Sequence, residues 1–340
     1  MTTVTPTDKI QLGKKIFFDK NLSNPIGQSC SSCHNSETGF SDLNHNMVSE
    51  GAVEGLYGYR NAPGVSYAMF SMPLHYDYVD STYVGGFFLD GRTNSLQEQA
   101  SKPFFNKLEM NIESVSMLIS KLKSADYLSL YKEVYGDLQD ENTILKNMTD
   151  AIAAYERSSE VNPFTSKYDY YLKGQASLTA QETRGLKLFK DTLKGKCANC
   201  HLIDPDEETG KVLFTDFTYD NIGLPKNSNN PFYTIPTSYN PMGSSYIDNG
   251  LGAFLNNSNF NGQFKVPSLR NVAVSAPYFH NGVFNTLEET VTFYNKRDSL
   301  YKFPEVPATV NHKELGALKL NSQEEKDIVA FLKTLTDGYK

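Results

Sequence analysis

Cys30-Ser31-Ser32-Cys33-His34 and Cys197-Ala198-Asn199-Cys200-His201 decide the reading of this chain. Together they use all four of its cysteines, so no thiol is left for a disulfide or a free nucleophile. Cys-x-x-Cys-His is the attachment signal of c-type haem: two thiols on one turn add to the two vinyl groups. The adjacent imidazole then faces the iron as its proximal ligand. Two rival readings use the same residues, a zinc site and a thioredoxin-like dithiol. Paired zinc motifs stand about 15–20 residues apart, whereas Cys33 and Cys197 are 164 positions apart. A thioredoxin motif needs no His after its second Cys. The sequence therefore predicts two covalently bound haem c groups, on His34 and His201.

A matching segment precedes each motif. Gly13-Lys14-Lys15-Ile16-Phe17-Phe18-Asp19 leads into the first, and Gly185-Leu186-Lys187-Leu188-Phe189-Lys190-Asp191 into the second. The glycines stand 172 positions apart and the motif histidines 167, a repeat of half the chain. This is far longer than a solenoid period. It predicts a mainly α protein of two cytochrome-c-like domains with long loops, 1–160 and 161–340. Thr179 with Glu182 reads as a capping box, and so does Ser322 with Glu325 ahead of a final amphipathic helix. Residues 111–157 read as helical from the spacing of Val115, Leu118, Ile119 and Leu122, then Ile144, Met148, Ile152 and Tyr155. A boundary falls at Ser158 to Pro163. Residues 204–264, rich in Asn, Gly, Pro and Tyr, read as long loops around the second haem.

Composition limits the partners. A net charge of −7 with no basic block speaks against nucleic acid. No run of 18 apolar residues offers a transmembrane segment. Met1 to Asp8 has neither the basic start nor the apolar stretch of a signal peptide. Haem attachment normally follows export, so the chain reads as a periplasmic protein whose signal sequence is absent. There is no Trp beside 21 Tyr and 21 Phe, which bears on electron transfer below.

Each iron has one His ligand, and function turns on the opposite side. A filled sixth position favours electron transfer; an open one admits peroxide or oxygen. Among the remaining residues His45, His75, His280, His312 and Met242 are available ligands.

Several ordered motifs span nearly the whole chain. Asn35-Ser36-Glu37-Thr38-Gly39-Phe40-Ser41-Asp42, Arg60-Asn61-Ala62-Pro63, Phe88-Leu89-Asp90-Gly91-Arg92, Leu96-Gln97-Glu98-Gln99-Ala100 and Glu109-Met110 follow the first Cys-x-x-Cys-His. Val266-Pro267-Ser268-Leu269-Arg270-Asn271, Ala276-Pro277-Tyr278-Phe279-His280-Asn281-Gly282 and Leu287-Glu288-Glu289 follow the second. In these the chain resembles the bacterial dihaem cytochrome c peroxidases and their MauG-like relatives. The resemblance implies that Gln99 and Glu109 form the peroxide pocket of the first haem. A carboxyl tuned by burial can take a proton from peroxide and deliver it to the departing oxygen. It also implies an interdomain calcium site at Asn61 and the backbone carbonyls of Ser275 and Pro277. Ser275 stands where relatives usually have Thr, and a backbone ligand survives that change.

Departures from the family pattern sharpen the expectation. Where well-studied peroxidases place a Met ligand to the second haem, 14 positions after His280, this chain has Tyr294, the MauG-like arrangement. The rival is a structural Tyr294 with Met242 as ligand. The family's Trp between the haems is replaced by Leu89. The surface Trp used by MauG, two positions before the second motif, is replaced by Gly195. Val53 occupies the place of a gating His, and His45 lies eight positions too early, so the first haem is expected to be open at rest. The reading is a dihaem peroxidase reducing hydrogen peroxide with electrons from a small cytochrome c or cupredoxin, a homodimer if it follows its family. The alternatives are a MauG-like enzyme oxidising a protein or organic substrate through high-valent iron, and a non-enzymatic dihaem carrier.

Overall fold

A computed structural model describes residues 5–207 and 209–340. Helix Pro6–Phe18 crosses helix Glu141–Glu156, and helix Ala180–Lys190 crosses helix Ser322–Lys333. The repeated glycine is the point of contact in both crossings. A Cβ on Gly13 would sit 1.8 Å from the Ala151 carbonyl oxygen, and one on Gly185 would sit 1.9 Å from that of Asp327. Both distances lie far inside van der Waals contact, so only Gly lets the backbones approach this closely. The repeat seen in the sequence is thus a repeat of helix crossings.

An aromatic triangle sits beneath each crossing. Phe17, Phe40 and Tyr155 meet edge-to-face with ring centroids 5.3–6.4 Å apart. Phe189, Phe214 and Phe331 do the same at 5.1–6.4 Å. Such pairs each add about 0.5–1.5 kcal/mol beyond the area they bury. The buried apolar residues form two main clusters around these triangles, one from Leu12 to Val161 and the other from Tyr168 to Leu335.

The segment 111–157 is broken into three helices, Val115–Lys123, Leu128–Tyr135 and Glu141–Glu156. Gly136, at φ +83°, ends the second. Thr179 and Glu182 form the expected capping box. The final helix starts one residue earlier than the sequence reading: Asn321 is the cap and Glu324 its partner, while Ser322 is already helical. Asn is as good a cap as Ser, and here its side chain takes the amides of Gln323 and Glu324.

Residues 204–264 are largely irregular, as expected, yet parts of them are buried. Side chains supply the hydrogen bonds that regular structure would have made. Asn221, Asn227, Asn230 and Asn240 are buried and donate Nδ2 to the carbonyls of Val306, Asn281, Tyr59 and Phe232 at 2.8–3.0 Å. A short antiparallel strand pair, Tyr219–Asp220 with Phe264–Lys265, lies in this region. A second, His75–Asp77 with Thr82–Val84, touches it through a Val84–Thr218 bridge. Arg60 ties distant segments together, with a bidentate pair to Asp248 at 2.6 and 2.8 Å and a third bond to Asp90 at 2.7 Å. Both carboxylates are buried and the Arg60 side chain is only 10 % exposed, so losing one partner would strand charge. No helix among the described residues is long and apolar enough to cross a membrane.

Candidate haem centres

The first motif forms a single helical turn, Cys30–Cys33, and the second a 3₁₀ turn, Cys197–Asn199. Burial pushes every cysteine thiol upward, Cys33, Cys197 and Cys200 to about 12 and Cys30 beyond that. A redox dithiol needs the opposite shift. Among the described residues no three His, Cys, Asp or Glu side chains converge to hold a metal ion. Neither rival reading of the motifs finds support in this geometry.

Each motif histidine is anchored through Nδ1. His34 lies 3.1 Å from the Phe40 carbonyl, and His201 2.9 Å from that of Phe214. A carbonyl only accepts, so Nδ1 carries the proton and Nε2 is left free as a ligand. Phe40 and Phe214 both adopt left-handed φ, +62° and +56°. That conformation costs energy in a non-Gly residue, and it aims each carbonyl at the ring. Burial pulls both imidazoles below their ordinary range, His201 to about 4. They are therefore neutral, the form that binds iron.

A cavity of about 360 Å³ opens beside the second motif. Cys197, Cys200 and His201 line it, and Tyr294 joins them from helix Leu287–Leu300. Thr286 and Glu289 form the capping box of this helix. Leu287 and Val291 are buried on the same face, which directs Tyr294 inward. Burial first, then the neighbouring thiols of Cys200 and Cys197, drives the phenol well above its ordinary pKa. Met242 is 58 % exposed and outside the cavity. The structure therefore places Tyr294, and not Met242, in the cavity that His201 lines.

The same cavity reaches Gln99, Asn61, Leu89, Ser275 and Pro277. It does not reach His34 or Glu109. Glu109 lies near Cys30 and Cys33, close enough for its charge to act on both thiols. Asn106 Nδ2 holds its Oε1 at 2.8 Å. Burial raises this carboxyl above the usual glutamate range, against lesser lowering by Asn106 and Arg92. Gln99, on helix Leu96–Phe105, makes no hydrogen bond to Glu109 in this structure.

Asn61 Nδ2 donates to the Met47 and Asn46 carbonyls at 3.2 and 3.3 Å, which turns Oδ1 the other way. Val53 packs with Leu56, Phe232 and Ile235 and offers no ligand atom. His45 is exposed, its Nδ1 2.8 Å from the Ala276 carbonyl. Leu89 accepts from the Lys265 amide at 2.9 Å, and Arg92 stacks on Phe88 at 3.6 Å. A Cβ on Gly195 would meet the Leu188 carbonyl oxygen at 1.9 Å, so this backbone has no room for any side chain there.

Two cavity residues have settings that the sequence does not reveal: Lys265, which no reading singled out, and His280, read only as an available ligand. Lys265 is pulled down to about 7 by burial, with its ammonium on the Gly86 carbonyl. His280 stacks on Phe264 at 3.7 Å and leaves Nε2 buried without a partner. Their places beside Val266-Pro267 and within Tyr278-Phe279-His280 were the available signals. Neither motif says which way the side chain points.

Comparison with known proteins agrees with this architecture. The profile of the di-haem cytochrome c peroxidase family matches residues 7–177. The methylamine utilization protein MauG of Paracoccus denitrificans is 34% identical, over 96% of this chain and 88% of its own. The cytochrome c551 peroxidase of Nitrosomonas europaea is 32% identical, over 98% of this chain and 82% of its own. The crystal structure of the dihaem peroxidase BthA from Burkholderia thailandensis superposes with a TM-score of 0.84 at 32% identity, covering 99% of this chain and 89% of that one. The repeated helix crossings, the two anchored histidines and these likenesses place the chain in the dihaem cytochrome c peroxidase family, which includes MauG.

Proposed function

We propose that this protein reduces hydrogen peroxide to water at a first haem centre and takes electrons through a second. The halves 1–160 and 161–340 would carry one centre each. Cys30, Cys33 and His34 would hold the first haem, and Cys197, Cys200 and His201 the second. The free Nε2 of each anchored histidine fits that role. Bound haem would supply the redox-active iron on which peroxide is cleaved.

The carrying observation is Glu109, a buried carboxyl beside Cys30 and Cys33 with its pKa raised. Asn106 fixes Oε1, which leaves Oε2 to accept a proton from one peroxide oxygen and pass it to the other. Burial raises this carboxyl above the usual glutamate range, which makes it a readier proton acceptor than an ordinary glutamate. Gln99 would orient the peroxide by hydrogen bonding. Val53 in place of a histidine supports an iron open at rest.

At the second centre Tyr294 would join His201 in holding the haem. A phenolate is a harder, anionic ligand than a thioether and favours the oxidised iron. Asn61 Oδ1 with the carbonyls of Ser275 and Pro277 would hold calcium, the hard-oxygen donor set that ion takes. A small cytochrome c or cupredoxin in the periplasm would supply the electrons. Tyr294 also favours a second reading, oxidation of a protein or organic substrate in the manner of MauG. Turnover of peroxide with a reduced c-type cytochrome separates the two. Glu109→Gln should lower this turnover at least 100-fold with peroxide binding retained; unchanged turnover would remove Glu109 from the mechanism.

A further inference from the structure

The second candidate centre is joined to the protein surface by a run of touching aromatic rings. Tyr294 lines the cavity with His201. Its ring contacts Phe293 at 5.8 Å between centroids, and Phe293 contacts Tyr301 at 5.3 Å. A parallel run goes from Tyr294 to Phe279 at 5.8 Å, to Phe284 at 5.7 Å and to the same Tyr301 at 5.4 Å. All five rings belong to one apolar cluster. Tyr301 stands at its outer end, half-buried, at the C-cap of helix Leu287–Leu300. Its hydroxyl makes no hydrogen bond to the described residues, which leaves its proton to solvent. Leu300 and Phe303, on either side of it, are 60 % and 87 % exposed.

Among the described residues a second ladder reaches the surface, from Tyr78, 87 % exposed, through Tyr76 and Tyr83 to Phe260. None of its four rings lines the cavity. The backbone at Gly195, against Leu188, admits no aromatic side chain beside the second motif. Another run leaves the cavity from Phe189 through Phe214 and Tyr168 to Tyr171, 38 % exposed, but it does not include Tyr294. The cluster ending at Tyr301 is the aromatic route that starts at Tyr294 itself and ends near solvent.

We infer that Tyr301 is a redox-active tyrosine, the position at which one-electron donors feed the second haem centre. The inference rests on the peroxide-reducing reading above. Peroxide takes two electrons and two protons to become two waters. The oxidising equivalent reaching the second centre removes one electron from Tyr301, and the phenol proton passes to water. The donor then returns one electron to the tyrosyl radical, and a proton is taken back. Tyr301 is unchanged, and two such events complete one turnover. Phe293, Phe279 and Phe284 are not themselves oxidised; they are the packed medium through which the electron moves.

The test uses the holoenzyme, excess hydrogen peroxide, no reductant and a nitroso spin trap, with the trapped site located by peptide mass spectrometry. The expected adduct lies on Tyr301 and is at least tenfold more abundant than any on Tyr78. Tyr301→Phe should lose it while keeping the optical change that peroxide causes in the haems. An adduct confined to Tyr78 or Tyr171, or one on this peptide that persists in Tyr301→Phe, would overturn the inference. No optical change in the wild-type protein would instead overturn the peroxide reading on which it rests.

Discussion

The carbonyl of Phe214, turned by a left-handed backbone, lies 2.9 Å from His201 Nδ1, as that of Phe40 lies 3.1 Å from His34. Both imidazoles are thereby fixed in one tautomer before any iron arrives. Because the carbonyl belongs to a strained residue, Phe214→Gly should keep the conformation at lower cost. It would also remove a ring that is fully buried against Phe189 and Phe331. The expected result is a net loss of about 3–5 kcal/mol, read by chemical denaturation, with the low-spin spectrum of the second haem retained in the folded fraction.

The crossing glycines give a sharper stability test. Gly185→Ala places a methyl 1.9 Å from the Asp327 carbonyl oxygen, where only a backbone shift can make room. A loss of about 1–3 kcal/mol or more is expected, seen as a lower thermal midpoint. Gly174→Ala, at φ +70° but with nothing within 4 Å, should cost less.

These two crossings also mark how far the sequence alone carries. The repeat of Gly13 and Gly185 was legible because close backbone approach leaves no other residue possible. Leu287, Val291 and Tyr294 stand at i, i+4 and i+7, so a shared helix face, and with it the inward direction of Tyr294, can be read from the sequence. The carbonyl partners of the histidines were not legible, since Phe40 follows His34 by six positions and Phe214 follows His201 by thirteen. The setting of Lys265 and His280 was equally hidden, because packing between distant segments buries them. The last helix was misplaced by one residue because Asn321 and Ser322 are both good caps.

Glu156 should make stability depend on pH. It is buried near Cys30, its Oε2 has no hydrogen-bond partner, and burial raises its pKa to about 8. Folding therefore favours the protonated acid. Stability should fall as pH rises from the ordinary glutamate range, about 4.3, through about 8, and then level off. Glu156→Gln removes the titrating proton and should flatten this part of the profile. Denaturation midpoints of both proteins at pH 5, 7 and 9 would check it; parallel profiles would show that Glu156 carries no such cost.

Replacing the proposed ligand should retune the second centre. In Tyr294→Met a thioether takes the place of the phenol, and Met/His ligation raises haem potentials. Redox titration should show a higher midpoint for one haem and an unchanged midpoint for the other. Met242→Ala, altering an exposed side chain outside the cavity, should leave both midpoints in place.

The most direct test of two unequal haem centres is the ligation of both irons in the resting ferric protein, read by low-temperature electron paramagnetic resonance. The account predicts one high-spin haem, the open centre on His34, and one low-spin haem whose signal changes in Tyr294→Ala. Two low-spin haems in the resting protein, or a low-spin signal that Tyr294→Ala leaves untouched, would contradict it.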